Sequence, residues 1–450
     1  MKVAVIGGGI SGLCTAFRLK NAGADVALFE SGRSVGGNIK TVIGDGYLLE
    51  NGPNSLLANR ELLDLINDLR ISKQVLKPNP AAKKRFIVRG GRLTALPSGP
   101  LDIFTTSSIS AGGRLRLLKE PFISTRSASG ESVSSFFERR LGKEIAEYAV
   151  DPFISGIYAG DPRKLSIQNA FPRLHKFEQE AGSLIKGALF SPKDQAAKPP
   201  KGSPRTFSFK EGVSTLTNAL QGGLGDGLKL GHTVTAITSD GREGYRVTSR
   251  AGVQPFDAVV ISTPANAAAT LINGLDTALS TELSNIYYPP IAVVYAAFKR
   301  EHVKENVDGF GVLVPAAEKR NILGCLFSSS LFGGRAPADQ HLFTIFIGGS
   351  RNAELCQKME DELIKIALED IRPLLGITGQ PTFTSIKKWD RSIPQYNIGY
   401  ERVPAAIDKF RESSPGIFFC SNFYKGISVG DCVKNSVTTA ADVAEYLKSR

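Results

Sequence analysis

The chain opens on Lys2-Val3-Ala4-Val5-Ile6, turns at once through Gly7-x-Gly9-x-x-Gly12, and runs on into a helical pattern. That order leaves few folds open. A short, wholly apolar run reads as a strand buried on both faces, the kind found in parallel sheets. Gly7 permits the tight turn, Gly9 lets the backbone approach a pyrophosphate, and Gly12 lets helix and strand pack closely. Ile10 and Ser11 begin a helix whose N-terminal amides face the phosphate charge. The helix is expected over 10–22, with Leu13, Ala16, Phe17 and Leu19 inward and Gly23 as its stop. Asp25-Val26-Ala27-Leu28-Phe29-Glu30 follows as a second strand, and Glu30 ends it where a carboxylate can accept from ribose hydroxyls. A GxGxxG alone is a weak signal. Strand, turn, helix, strand and acid in that order predict a dinucleotide site.

At 450 residues the chain exceeds what one hydrophobic core supports, so two or three lobes are expected. No apolar run reaches the length of a membrane-spanning helix. Gly7-Gly8-Gly9 interrupts the opening apolar stretch, which argues against a secretory signal and for a cytoplasmic location. Five scattered cysteines with no CxxC pair suit buried thiols in a reducing compartment. Four histidines without an HxxxH or Cys/His cluster give no reason to expect a metal. The net charge of +12 is uneven: from Lys73 to Arg126 eleven basic residues face only Asp102 and Glu120, a local excess of +9. Such a stretch is a solvated face, or a surface drawn to anionic lipid headgroups or a polyanionic substrate. No nucleic-acid-binding motif accompanies it, so nucleic acid is not an expected partner.

Further along, a second Gly-rich turn falls at Gly36-Gly37, a helix is expected over 61–70, and a hairpin over 86–96 around Gly90-Gly91. The stretch 97–190 is mostly helical in pattern, and 191–205 is a polar, Pro-rich loop. Strands are expected at 232–238, 245–249 and 257–263, a β-rich region over 291–349, and helices over 353–371 and 431–448. Nucleotide-domain elements thus sit at the beginning, middle and end. The expected fold class is α/β with α+β lobes. Its parts are a Rossmann-like dinucleotide domain from 1–75, 205–265 and 385–450, a mostly helical, membrane-associated or substrate lobe over 76–204, and a substrate-binding domain over 266–384.

Ser31-Gly32-Arg33-Ser34-Val35-Gly36-Gly37 resembles the extension shared by amine oxidase and protoporphyrinogen oxidase flavoproteins. The resemblance implies FAD, with Ser31, Arg33, Gly36 and Gly37 adding contacts to ribose and pyrophosphate. The single dinucleotide fingerprint argues against a reductase with separate FAD and NADPH sites. Four further stretches resemble the protoporphyrinogen oxidase family: Glu50-Asn51-Gly52-Pro53-Asn54-Ser55, Gly156-Ile157-Tyr158-Ala159-Gly160-Asp161-Pro162, Phe346-Ile347-Gly348-Gly349-Ser350 and Gly426-Ile427-Ser428-Val429-Gly430-Asp431. With Leu326-Phe327-Ser328-Ser329-Ser330 and Trp389 they carry the likeness over nearly the whole chain.

That likeness implies an FAD lobe, a substrate lobe and a helical membrane-binding lobe. It also implies removal of six hydrogens from a porphyrinogen, with oxygen reoxidising the flavin to give hydrogen peroxide. Gly52, Pro53, Asn54, Val234, Trp389 and Val429 join the implied flavin contacts. Arg85 matches the family's propionate-binding arginine, Leu313 and Leu326 the residues that sandwich one pyrrole ring, and Phe346 the aromatic that stacks on another. Gly156 matches a position whose backbone faces the substrate. Taken alone, these same residues read as a surface arginine, core side chains and a turn.

Hydride transfer to the flavin N5, with proton loss from a pyrrole N–H, asks the protein for orientation and a dry pocket. No catalytic acid or base is assigned. The C-terminal helix is expected to point its positive N-terminal end, near Val429, at the flavin pyrimidine. The basic stretch overlaps the position of the family's membrane lobe, which favours peripheral attachment to an anionic membrane. A homodimer is left open.

The nearest rival is the coproporphyrinogen oxidase branch, which acts on four carboxylates; 326–350 is closer to the plant-type protoporphyrinogen branch. An amine oxidase would leave Arg85 without a purpose. A carotenoid-type desaturase would want a long apolar tunnel with little positive charge, and a non-catalytic flavin scaffold would turn nothing over.

Overall fold

Lys2–Ile6 is the central strand of a five-stranded parallel sheet, and Val3, Ala4 and Val5 are wholly buried in it. Across the sheet the order is Leu228–Leu230, Asp25–Glu30, Lys2–Ile6, Ala258–Ile261 and Ile417–Phe419. Every neighbour is parallel. Apolar side chains point to both faces of these strands, so both faces must be covered. Helices Ile10–Asn21, Ser214–Leu224 and Val429–Lys448 cover one. Helices Ala265–Ile272, Thr277–Ser284 and Arg402–Ser413 cover the other, with the antiparallel strands Val234–Ser239, Tyr245–Ser249 and Gly252–Phe256. The first helix ends on Gly23 at φ +89°, the left-handed stop its glycine predicts. The computed structural model describes residues 1–97, 99, 102, 106–190, 203–241 and 244–450; the Pro-rich stretch 191–202 lies outside them.

A seven-stranded, mixed sheet forms the second body. Its order is Phe383–Trp389, Ile291–Lys299, Gln340–Gly348, Ile322–Phe327, Gly309–Leu313, Lys84–Arg89 and Arg92–Ala95. The hairpin at 84–95 therefore joins this sheet rather than the helical segment in which 76–204 was expected to fall. The boundary expected after 384 cuts the strand Phe383–Trp389, and helices 265–284 pack on the nucleotide sheet rather than here. The cause is the same in each case: local pattern identifies an element but not its partner. The helix expected over 353–371 runs instead over Glu360–Leu375, after a 3-10 turn at Ala353–Gln357. Glu360, Asp361 and Glu362 supply the acidic first turn that fixes its start.

The helical segment centres on Arg140, which has no exposed surface. A buried guanidinium is tolerable only when paired and hydrogen-bonded. Arg140 Nε donates to Glu178 at 2.5 Å and Nη2 to the Gly182 carbonyl at 3.0 Å, with Glu120 at 3.4 Å. Glu120 in turn accepts from the Leu184 amide at 2.8 Å. This network gathers Glu120–Phe122, Val133–Leu141, Pro172–Ala181 and Leu184–Phe190 into one lobe. No helix among the described residues is long and apolar enough to cross a membrane.

Candidate active site

The strand order of the parallel sheet reverses between Lys2–Ile6 and Ala258–Ile261, and ligands of doubly wound sheets bind beyond the strand ends at such a point. Gly7 turns there at φ +108°; a Cβ on it would stand 2.9 Å from the Ser262 carbonyl carbon. A Cβ on Gly12 would stand 2.0 Å from the Gly7 oxygen, so only glycine lets helix and turn approach this closely. Over Gly9 the position of a Cβ meets nothing within 4 Å. The helix opened by Ile10 and Ser11 has Gly9 as its cap and no side-chain hydrogen bond there, so its first amides await an acceptor. Ser262 Oγ and Thr263 Oγ1, beside Gly12 and Gly7, are buried without a hydrogen-bond partner among the described residues. Buried hydroxyls without partners mark a place for a polar ligand. A pyrophosphate-bearing dinucleotide fits this cradle.

Glu30 is held by two amides, Gly8 N–H at 2.7 Å and Gly32 N–H at 2.6 Å. Oε1 also accepts from Ser31 Oγ at 3.3 Å, and Oε2, which accepts from Gly8, keeps a lone pair for a ribose hydroxyl. The His232 amide donates to the Glu30 carbonyl at 2.9 Å, which brings Val234 to the same side. Ser31 and Arg33 are exposed on the adjoining loop. Gly36 N–H reaches the Gly8 carbonyl at 2.8 Å, and Gly37 stands against Gly9. The next link is Gly52, where a Cβ would lie 1.9 Å from the Asn38 oxygen. Asn54 turns back on the Gly52 carbonyl across Pro53 at 3.2 Å. Trp389 Nε1 donates to the Asn51 carbonyl at 2.7 Å, and Asn59 Nδ2 to the Gly430 carbonyl at 2.8 Å, next to Val429. The C-terminal helix is capped by Ser428, whose hydroxyl accepts from the Asp431 amide at 3.1 Å. One unbroken chain of contacts thus runs from Gly7 to Trp389.

Beyond Trp389 lies the seven-stranded sheet. Its register lines up Arg85, Gly311, Leu326, Thr344 and Tyr295 in one row, and Ile87, Leu313, Gly324, Phe346 and Val293 in the next. Residues two apart on a strand share a face, as do residues paired across strands. Arg85, Leu313, Leu326 and Phe346 therefore share one face. The residues between them, Phe86, Val312, Cys325 and Ile345, point the other way into the core under helix Glu360–Leu375. Leu313, Leu326 and Phe346 are half-buried, whereas Ile87, Thr344, Tyr295 and Val293 on the same face are buried, so the face is left partly uncovered around these three side chains. Phe346 also packs in the cluster that contains Tyr47, Leu49 and Trp389, which joins this face to the nucleotide crevice.

Gly156 closes one side of the face. It sits in helix Asp151–Tyr158, and a Cβ on it would fall 2.4 Å from Leu313 Cδ2. Arg85 stacks on Phe310, its guanidinium carbon 5.0 Å from the ring centroid. It makes no ion pair with a carboxylate among the described residues. Burial and then the charge of Arg205 lower its pKa. Where the two bodies meet, buried Glu50 accepts from Thr41 Oγ1 at 2.7 Å and Val213 N–H at 2.8 Å, with Arg335 at 3.9 Å. Burial still pushes its pKa up. Tyr295 OH donates to the Glu50 carbonyl at 2.8 Å, and its own pKa is raised by burial and then by Glu50.

Three residues of this site escape sequence reasoning. Ser262 and Thr263 had a usable signal: they follow the apolar parallel strand Ala258–Ile261 and stand just before Pro264. Arg351 has none, and only the tertiary structure brings it to Ser155 and Asp151.

A family model described as flavin containing amine oxidoreductase matches residues 10–444. The chain is 36% identical to the mitochondrial protoporphyrinogen oxidase of Nicotiana tabacum, over 100% of this chain and 95% of the relative. It is 27% identical to the coproporphyrinogen III oxidase of Bacillus subtilis (strain 168), over 99% and 98%. The crystal structure of a protein from Exiguobacterium sp. 255-15 superposes with a TM-score of 0.82 at 24% identity, over 99% of each chain, which establishes the shared fold. The chain belongs to the flavin-containing amine oxidoreductases, within the protoporphyrinogen oxidase family, and is an FAD-dependent oxidoreductase.

Proposed function

We propose that this enzyme oxidises protoporphyrinogen IX to protoporphyrin IX, with oxygen as the acceptor. Three rounds each take a hydride and a proton from the macrocycle, and each turns one oxygen into one hydrogen peroxide. The observation that carries the reading is the full-length identity of 36% to a protoporphyrinogen oxidase, against 27% to a coproporphyrinogen III oxidase. When bound, FAD supplies hydride acceptance and reoxidation by oxygen.

The chain's residues supply the rest. Gly7, Gly9, Ile10, Ser11 and Gly12 hold the pyrophosphate, and Glu30 the ribose. Arg85 pairs with a substrate carboxylate. Leu313 and Leu326 clamp one pyrrole ring, Phe346 stacks on a second, and the Gly156 backbone lies against the macrocycle. These apolar walls exclude water and fix a methylene bridge for transfer, so orientation carries the rate.

A lipid surface is the proposed partner of the helical lobe. Leu115, Leu118, Phe122, Leu189 and Phe190 are exposed on segments that pack together, Phe122 at 85% and Phe190 at 80%. Exposed Lys119 and Arg126 lie in the same stretch. Apolar tips beside cations suit an anionic bilayer interface.

The test is porphyrin fluorescence with protoporphyrinogen and coproporphyrinogen supplied separately to the FAD-loaded enzyme, with peroxide measured alongside. Faster turnover of protoporphyrinogen is expected. Preference for coproporphyrinogen would move the enzyme to the sister reaction, and turnover of neither would overturn the reading.

A further inference from the structure

The turn Gly348–Arg351 grips helix Asp151–Tyr158 at both ends. At the C-terminal end the Ser350 amide donates to the Ala159 carbonyl at 2.7 Å, where Ala159 leaves the helix at φ +53°. At the other end Arg351 reaches across from the sheet. Its Nη2 donates to Asp151 Oδ2 at 2.9 Å and Ser155 Oγ at 2.7 Å, and its Nη1 to the Val314 carbonyl at 2.7 Å. Asp151 also accepts from the Ala316 amide at 2.8 Å. One guanidinium therefore joins the residue before Gly156 to the residue after Leu313. A planar fork with several donors can hold two such groups at a fixed separation, which an ammonium cannot.

From this geometry we infer that Arg351 is a positioning residue for the substrate cleft, holding the Gly156 backbone in packing contact with the Leu313 wall. Its Nη1 and Nη2 are both held by protein groups. The inference rests on the porphyrinogen reading of that cleft. A group held off by an ångström can slow an oriented reaction by about 100-fold, so the clamp bears on rate more than on affinity.

The experiment compares Arg351→Met and Arg351→Lys with the unaltered enzyme. It measures kcat and KM per bound FAD, and backbone hydrogen exchange with FAD bound. For Arg351→Met, kcat per flavin is expected to fall roughly 10- to 100-fold while KM moves less than about threefold. Exchange should rise at 151–160 but not in Lys2–Ile6 or Ile10–Asn21. Arg351→Lys should fall between the two. An active parent with kcat per flavin unchanged in Arg351→Met overturns the inference alone. Faster exchange throughout the chain also overturns it, as a general loss of stability. A parent that binds FAD but oxidises no porphyrinogen overturns the functional reading and this inference with it.

Discussion

Trp389 donates its indole N–H to the Asn51 carbonyl at 2.7 Å, and so ties the last residue of a sheet strand to the loop that carries Gly52, Pro53 and Asn54. The bond couples the substrate face to the nucleotide crevice. In Trp389→Phe the ring packing survives but the donor is lost. A single hydrogen bond is worth about 1 kcal/mol, so FAD affinity should weaken about fivefold. Flavin retained after serial dilution, read by fluorescence, checks this; equal retention would show that the loop is held without Trp389.

Gly52→Ala should do more. Its Cβ would lie 1.9 Å from the Asn38 carbonyl, a main-chain atom that can move only with the Gly36–Asn38 turn. The variant should fold, by far-UV circular dichroism, yet purify without flavin. Gly44→Ala is the control, since a Cβ there meets nothing within 4 Å, and it should purify yellow.

Arg85→Ala should raise KM for the porphyrinogen roughly 10- to 100-fold, the range expected when a charged hydrogen-bond partner is removed. Because a carboxylate far from the reacting bridge is bound alike in ground and transition states, kcat should stay within about threefold. Steady-state kinetics separates the two. A fall in kcat with KM unchanged would place Arg85 outside the carboxylate site.

Phe122→Ser with Phe190→Ser should detach the protein from vesicles containing anionic lipid. Each phenylalanine brings about 1.5–3 kcal/mol when fully buried, so the pair should lower binding by at least about tenfold in co-sedimentation. Turnover in detergent-free solution should not change. Equal sedimentation of parent and variant would remove this edge as the contact.

His341 gives the protein an acid-sensitive point. Burial, with help from Arg300, lowers its pKa from 6.5 to about 4. The unfolded chain therefore takes up the proton first. The stability owed to neutral His341 is complete above pH 6.5 and is lost as the pH falls towards 4. The ring is partly exposed, so the effect is on the order of 1 kcal/mol. In His341→Phe the fall in Tm between pH 7 and 4.5 should be shallower; parallel curves would exclude the histidine as the cause.

What could be read from the chain before its fold was known divides by range. The opening strand, Gly-rich turn, helix and second strand are encoded within thirty consecutive residues, and they form as expected. The walls of the cleft come from four strands, of which Lys84–Arg89 precedes the other three by more than two hundred residues. Alternation marks each as a strand but gives neither partner nor register, which is why the hairpin at 84–95 was expected in the wrong body. Resemblance to known flavoproteins selected Arg85, Leu313, Leu326 and Phe346, and the sheet register puts them on one face. Arg351 lay beyond either approach: its meaning is a set of distances to Asp151, Ser155 and Val314.

The cleft wall and the hydrophobic core alternate residue by residue along the same strands. Val312 belongs to the core and Leu313 to the wall; so do Cys325 and Leu326, Ile345 and Phe346. Adding or removing one residue in any of these strands would turn wall into core. Heritable change in the cleft must therefore come by substitution, never by altered strand length. Because each wall side chain is backed by a core neighbour that need not change with it, a lineage can explore new cleft shapes one position at a time while the scaffold beneath stays the same.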